Sequence, residues 1–337
     1  MSQEARRVLA ASEEERQAIL SLAERVCQYN PVEDAEKHIS TAQTLAAELP
    51  RRFRQEALHF RRYGSANGGL LLQGLPTGPI PPTPEHADEA VGTTLLAAGV
   101  LALFAALLGD QFGFRPELSG HIVQDILPVR GFEDTQQSIS STMDLFPHVE
   151  TAFTDNRADY VGLFCVRQDH DGVAGTSLSP IEGILKMLDP PTVNVLSQPR
   201  FKTTVDGSFL RGSGRSDAIF IGPIEIMSGP ENRPRLRCDF AETAGLDAVA
   251  GKALERLRMA VIDAAITIRL LAGDLLFVDN NHSFHGRTAF QARWDGRDRW
   301  LLRTFVTCDL SRSAADRPGD GRIVDTDYSH GPHVLVA

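Results

Sequence analysis

GDLLFVDNNHSFHGRTAF (273–290), with RWLLRTFVTCDL (299–310) shortly after it, decides how this chain folds. Both stretches carry short apolar and β-branched runs bounded by Gly, Asp and Asn, the composition of strands closed by turns. Working outward, the same texture recurs in HIVQDILPV (121–129), SISSTMDLF (138–146), DYVGLFCV (159–166), SDAIFIGPIEI (216–226) and PRLRCDF (234–240). Two helical runs interrupt the series, SPIEGILKMLD (179–189) and the longer DAVAGKALERLRMAVIDAAITIRLL (247–271). Many short strands with few long helices predict a sandwich or barrel. The strand count fits a double-stranded β-helix, or jelly roll. The expected fold class is mainly β with flanking helices around a jelly-roll core.

Upstream the pattern is different. Ser12 with Glu15 forms a capping-box signature ahead of an amphipathic run to Cys27. A second helical pattern runs from Val32 to Arg62, broken or kinked at Pro50. Gly69 to Gly74 reads as a strand, and LPTGPIPPTPEH (75–86) as an extended connector. VGTTLLAAGVLALFAALLG (91–109) is apolar all round, so it is either a core helix or a membrane span. Its length is borderline for a span and it stands alone, which favours a buried helix. The expected organisation is a single domain over 1–337. A mostly helical part, 1–112, packs on a β core at 113–310, which carries a helical insert at 247–271, and 311–337 is a C-terminal tail.

Composition narrows the function classes. Net charge is −10, with no long basic run and no aromatic–basic interleaving, so nucleic acid is not an expected partner. The four cysteines, Cys27, Cys165, Cys238 and Cys308, are scattered without a CxxC pair. That argues against a zinc knuckle or a disulfide scaffold. The N-terminus lacks the apolar core of a signal peptide. A cytoplasmic protein with reduced thiols and no membrane partner is expected. Nothing in the sequence sets an oligomeric state.

Two local groups can carry chemistry. One is His148-Val149-Glu150, where alternation along a strand would put imidazole and carboxylate on one face. The other is the histidine pair His282 and His285, directly after the apolar strand 273–279. Taken alone, HxE is weak evidence. Two histidines and one carboxylate nevertheless leave three positions open on an octahedral metal, the facial triad of non-haem iron oxygenases. Downstream, Arg299 and Arg303 share strand parity with Leu301 between them. A buried guanidinium there is the group that grips a carboxylate through two parallel hydrogen bonds.

PHVETAF, RADYVGLFCVR, DNNHSFHGRTAF and RDRWLLR together resemble the clavaminate synthase-like group of Fe(II)/2-oxoglutarate oxygenases. Within that group the likeness is greatest to the free-amino-acid hydroxylases of antibiotic biosynthesis, which act on arginine, asparagine, lysine or citrulline. It covers roughly residues 115–310. The resemblance implies Fe(II), 2-oxoglutarate and O2 as cofactor and cosubstrates, and a small amino acid as partner. It implies iron ligation by His148, Glu150 and His285, with His285 preferred over His282 because HGRT matches the family's distal histidine. It implies Arg299 and Thr176 for 2-oxoglutarate, and Ser138, Arg303 and Asp239 for substrate; the match around Glu117 is loose, and Glu117 is a further candidate, for the substrate ammonium. Thr151-Ala152 stands where relatives carry Glu-Asp, so local substrate contacts differ.

The implied reaction is hydroxylation at Cβ or Cγ of a free L-amino acid, with release of succinate and CO2. Desaturation, ring closure, or a carrier-tethered or non-amino-acid substrate would use the same cofactors. The triad residues also suit zinc, as in a metal-dependent hydrolase. A non-catalytic β-barrel binding protein is the third alternative.

Overall fold

The computed structural model describes residues 9–328, apart from 213, 215 and 216, and the short strand Val334–Leu335. The N-terminal residues 1–8, Ser216 of the 216–226 run, and 329–333 with 336–337 of the C-terminal tail lie outside the described residues.

A large mixed sheet organises the chain. Its hydrogen-bonded order is Leu9–Ala10, Gly69–Gln73, Leu275–Asp279, Tyr160–Arg167, Trp300–Thr307, Asp110–Phe114 and Ile323–Val324, with Gln124–Ile126 also paired to Trp300–Thr307. A second sheet runs Ile266–Ile268, Thr176–Pro180, Ser283–Arg287 and Leu145–His148. Side-chain alternation assigns the faces. On Tyr160–Arg167, Tyr160, Phe164 and Val166 join one apolar cluster with the helices. Val161, Leu163 and Cys165 join a second cluster with Leu178 and Phe284 of the smaller sheet. The large sheet is thus buried on both faces, by helices on one and the smaller sheet on the other.

The helical layer follows local sequence logic. Ser12 and Glu15 close the expected capping box on helix Glu13–Val26. The 32–62 pattern becomes two helices, Ala35–Leu45 and Arg51–Tyr63, divided by a short turn and Pro50. The apolar stretch is a core helix, Leu96–Leu108, packed against these three helices and the Tyr160–Arg167 and Trp300–Thr307 strands. Glycine makes two of those approaches close. A Cβ at Gly99 would lie 2.8 Å from the carbonyl oxygen of Ala23, and one at Gly162 would lie 2.8 Å from the Phe277 ring. Among the described residues, no single helix is long and apolar enough to cross a membrane. The turn before this helix passes the same test only together with it, across an 82° bend.

Several boundaries differ from expectation. The insert read as a helix over 247–271 ends at Asp263, and Ile266–Ile268 is an edge strand paired with Thr176–Pro180. Asp247 caps the helix through the N–H groups of Val249 and Ala250. The apolar periodicity carries on past its end, but the β-branched run Ile266-Thr267-Ile268 packs better on a pleated edge. In 179–189, Thr176–Pro180 is strand and only Ile181–Leu185 is helical, and Asp189 caps another helix, Pro190–Leu196. Of 138–146, only Leu145 and Phe146 are strand. The C-terminal segment is more than a tail, since Ile323–Val324 extends the large sheet in parallel with Gly113 and Phe114.

Candidate active site

The smaller sheet brings the two histidines together. His285 on Ser283–Arg287 is the register partner of His148 at the end of Leu145–His148, with ring centroids 4.3 Å apart. Their Nε2 atoms lie 3.3 Å (His285) and 3.7 Å (His148) from the same carboxylate oxygen, Oε2 of Glu150. Glu150 reaches this position by a different route from strand alternation. The strand ends at His148, and Glu150 sits in a turn where Thr151 takes a φ of 52°. Two anchors aim that turn: Val149 N–H donates to Cys238 O, and Glu150 N–H donates to Asn280 Oδ1. Asn280 is fully buried, and sequence reading did not single it out.

These three residues form a group that could hold a metal, every ligand atom lying within 4.8 Å of the others. His148 Nδ1–H donates to Phe146 O at 2.9 Å, which leaves Nε2 as the nitrogen that can face a metal once its proton is displaced. His282 bonds to Asp279 and lies outside the group. A second cluster, His170 with Asp295 and Asp298, is a loop staple, because Asp298 accepts the N–H groups of Arg293 and Trp294.

Charge around the triad keeps the Glu150 carboxylate and His148 ionised and His285 neutral. Burial disfavours the Glu150 carboxylate, but Arg303 and both imidazoles hold it well below the usual range. Burial alone would push His148 down; the hydrogen bond and charge of Glu150, with the charge of Asp239, lift it to about 9. His285 is pushed down by burial and by His148. Arg303 is 6% exposed and binds three side chains: Nη1 donates to Glu150 Oε1 at 3.0 Å, Nη2 to Glu117, and Nε to Gln124. Burial raises the Glu117 carboxyl against the pull of Arg303, and its second oxygen has no partner.

A cavity of about 520 Å³ opens over the triad. The nine residues given a binding role from sequence all line it, including Ser138, Thr176 and Asp239, whereas His282 does not. Arg299 is buried beside it and has no hydrogen-bond or ion-pair partner among the described residues. Asp239, Asp206 and Glu242 line another part of the wall. Sequence reading missed Arg287, Asp206 and Glu242. Arg287 sat unremarked in HGRT, and the two acids lie in loop segments with no motif around them.

No family model matches the sequence. The chain is 40% identical to the L-asparagine oxygenase of Streptomyces coelicolor over 82% of its own length and 81% of the relative's. It is 32% identical to clavaminate synthase 2 of Streptomyces clavuligerus, over 90% and 94%. A solved asparagine oxygenase, in complex with Fe(II), (2S,3S)-3-hydroxyasparagine and succinate, superposes with a TM-score of 0.89 at 35% identity, covering 96% of this chain and 100% of that one. A mainly β fold with a two-histidine, one-carboxylate group at the wall of a cavity defines the class of mononuclear non-haem oxygenases. Within that class, the chain belongs to the clavaminate synthase-like family of Fe(II)/2-oxoglutarate-dependent oxygenases.

Proposed function

We propose that the protein hydroxylates an unactivated C–H, at Cβ or Cγ, of a free L-amino acid, using Fe(II), 2-oxoglutarate and O2. One oxygen atom enters the product hydroxyl; the other leaves in succinate, with release of CO2. The observation that carries this reading is the convergence of His148, His285 and Glu150 on one point at the wall of the cavity. The donor set suits Fe(II): two imidazole nitrogens and one carboxylate leave three positions for a chelating 2-oxo acid and dioxygen. Bound there, iron and 2-oxoglutarate supply the oxidising power that side chains lack.

The remaining residues bind and orient. Arg299, with no internal partner, receives the distal carboxylate of 2-oxoglutarate, and the Thr176 hydroxyl adds a second contact. Arg303 holds Glu150 ionised and aimed. The Arg303–Glu117 pair presents a cation and a carboxylate side by side, which matches the carboxylate and ammonium of an amino acid. Ser138 adds a donor to the substrate carboxylate. Asp239, with Asp206 and Glu242, gives the wall a negative charge that favours a basic side chain such as arginine or lysine over a neutral one such as citrulline. A cavity of about 520 Å³ falls within the usual range for small-ligand sites and excludes bulk water once filled. We further infer that the two sheets form a double-stranded β-helix within one domain spanning 1–337, and that the protein works in the cytoplasm without nucleic-acid or membrane partners.

The test is a succinate-release screen across free L-amino acids, with arginine, lysine, citrulline, asparagine and glutamine first. A product gaining about 16 Da marks hydroxylation, and one losing about 2 Da marks desaturation or ring closure. Turnover of an amide or ester without O2 or 2-oxoglutarate would replace this reading with a zinc hydrolase.

A further inference from the structure

Arg287 is placed where no part of the reaction yet uses it. It sits two residues beyond His285 on the same strand, it is the register partner of Thr176, and it lines the cavity. It is 6% exposed, as is Arg299. The two guanidiniums share one aromatic ring, at 5.0 Å (Arg287) and 5.8 Å (Arg299) from the Phe290 centroid. Among the described residues neither has a carboxylate within ion-pair distance. Two like charges buried together are costly when Asp144 and Asp169 act on them only from beyond ion-pair distance, and a carboxylate arriving between them offsets that cost.

The donors of Arg287 divide into two sets. Nη1 donates to Ser141 O and Thr288 O, and Nη2 to Ser140 Oγ and Met143 O. Those bonds fasten the 140–143 segment to the strand that carries His285. The same segment continues into Ser138 and Ile139 on one side and Leu145 and Phe146 on the other, all of which line the cavity. The fifth donor, Nε–H, is buried and has no partner. A guanidinium that makes three hydrogen bonds to a cavity wall and one to its own strand end, and keeps Nε–H in reserve, can hold wall and ligand together.

We propose that Arg287 is a positioning residue that couples the cosubstrate site at Arg299 to the 138–146 wall, its Nε–H taking a carboxylate oxygen of the bound dicarboxylate while Nη1 and Nη2 hold Ser140, Ser141 and Met143. The proposal rests on the reading of Arg299 as the anchor for 2-oxoglutarate. Occupancy neutralises the guanidinium pair, tightens the Arg287 contacts and steadies the wall that receives the amino acid.

Two measurements on the full chain, made anaerobically with Fe(II), separate the claims. Equilibrium dialysis reads 2-oxoglutarate affinity. Hydrogen exchange reads the 133–145 segment, where Ser141 N–H and Thr142 N–H both donate to Glu133 O. In the wild type, 2-oxoglutarate should slow exchange there by about tenfold, the order of effect of one charge-assisted hydrogen bond. In Arg287→Lys, which keeps the charge but lacks the fork, affinity should fall by about tenfold, and at saturating 2-oxoglutarate the exchange response should disappear. Arg287→Gln should lose the response as well. Normal exchange in the Tyr160–Arg167 strand shows that a variant is folded, and if Arg287→Gln fails that check, Arg287→Lys decides. A wild-type response that survives in Arg287→Lys overturns the coupling, as does a wild-type segment that ignores 2-oxoglutarate. Unchanged affinity in Arg299→Ala instead overturns the anchor reading, and the coupling falls with it.

Discussion

At the scale of single residues, the site is an electrostatic assembly around Glu150. Arg303 and two imidazoles hold its carboxylate ionised in spite of burial. Arg303→Met should therefore destabilise the fold by about 3–5 kcal/mol, the usual cost of leaving a buried charge unpaired. It should also weaken Fe(II) binding; urea unfolding and metal titration at pH 7 check both effects. His148 sets the pH dependence. Its raised value, about 9 before metal arrives, means that the imidazole is protonated across the neutral range. Metal must displace that proton, so apparent Fe(II) affinity should rise by up to tenfold per pH unit from 6 to 8 and level off near 9. Affinity that falls over that range would contradict the assignment. His148→Ala should abolish the charge-transfer band of the Fe(II)–2-oxoglutarate complex, and Arg299→Ala should weaken 2-oxoglutarate binding at least tenfold. That His148, Glu150 and His285 come together was legible because HxE and a late histidine are residue types with lone pairs to offer, in a fixed order. Arg287 and Asn280 were not legible, because an arginine or asparagine after a strand reads as solvent-facing until the fold encloses it.

Elements were legible where local chemistry closes on itself. Ser12 with Glu15, and Pro50, set helix ends at the expected places. Ser12→Ala should cost about 1 kcal/mol in urea unfolding while turnover stays unchanged, because the cap is remote from the cavity. A larger loss, or a loss of activity, would mean that the N-terminal helix reaches the site. Reading failed where two periodicities overlap. From Ala248 to Leu271 the apolar spacing suits a helix throughout, and only pairing with Thr176–Pro180 makes Ile266–Ile268 a strand. Pairing across sequence is a tertiary event, so no window of the chain records it. The same holds for Ile323–Val324, whose two residues gain strand character only beside Asp110–Phe114.

On the scale of the whole molecule, the site is where two sheets meet. His148, Thr176, His285 and Arg287 come from the smaller sheet, whereas Arg303 lies on the large sheet and Arg299 immediately precedes its Trp300–Thr307 strand. A 2-oxoglutarate molecule held at the triad and at Arg299 therefore ties the sheets together and binds only the folded state. At a ligand concentration about 100 times Kd, such binding contributes about 2.7 kcal/mol. Unfolding entropy of about 2.1 cal/mol/K per residue implies about 0.7 kcal/mol/K for a chain of 337 residues. Fe(II) with 2-oxoglutarate should thus raise Tm by roughly 4 °C under anaerobic conditions. In Arg299→Ala at the same concentrations, the tenfold loss of affinity should roughly halve the shift. Equal shifts in the two proteins would mean that the ligand is held by the metal on the smaller sheet alone, and the bridging role assigned to the large sheet would be wrong.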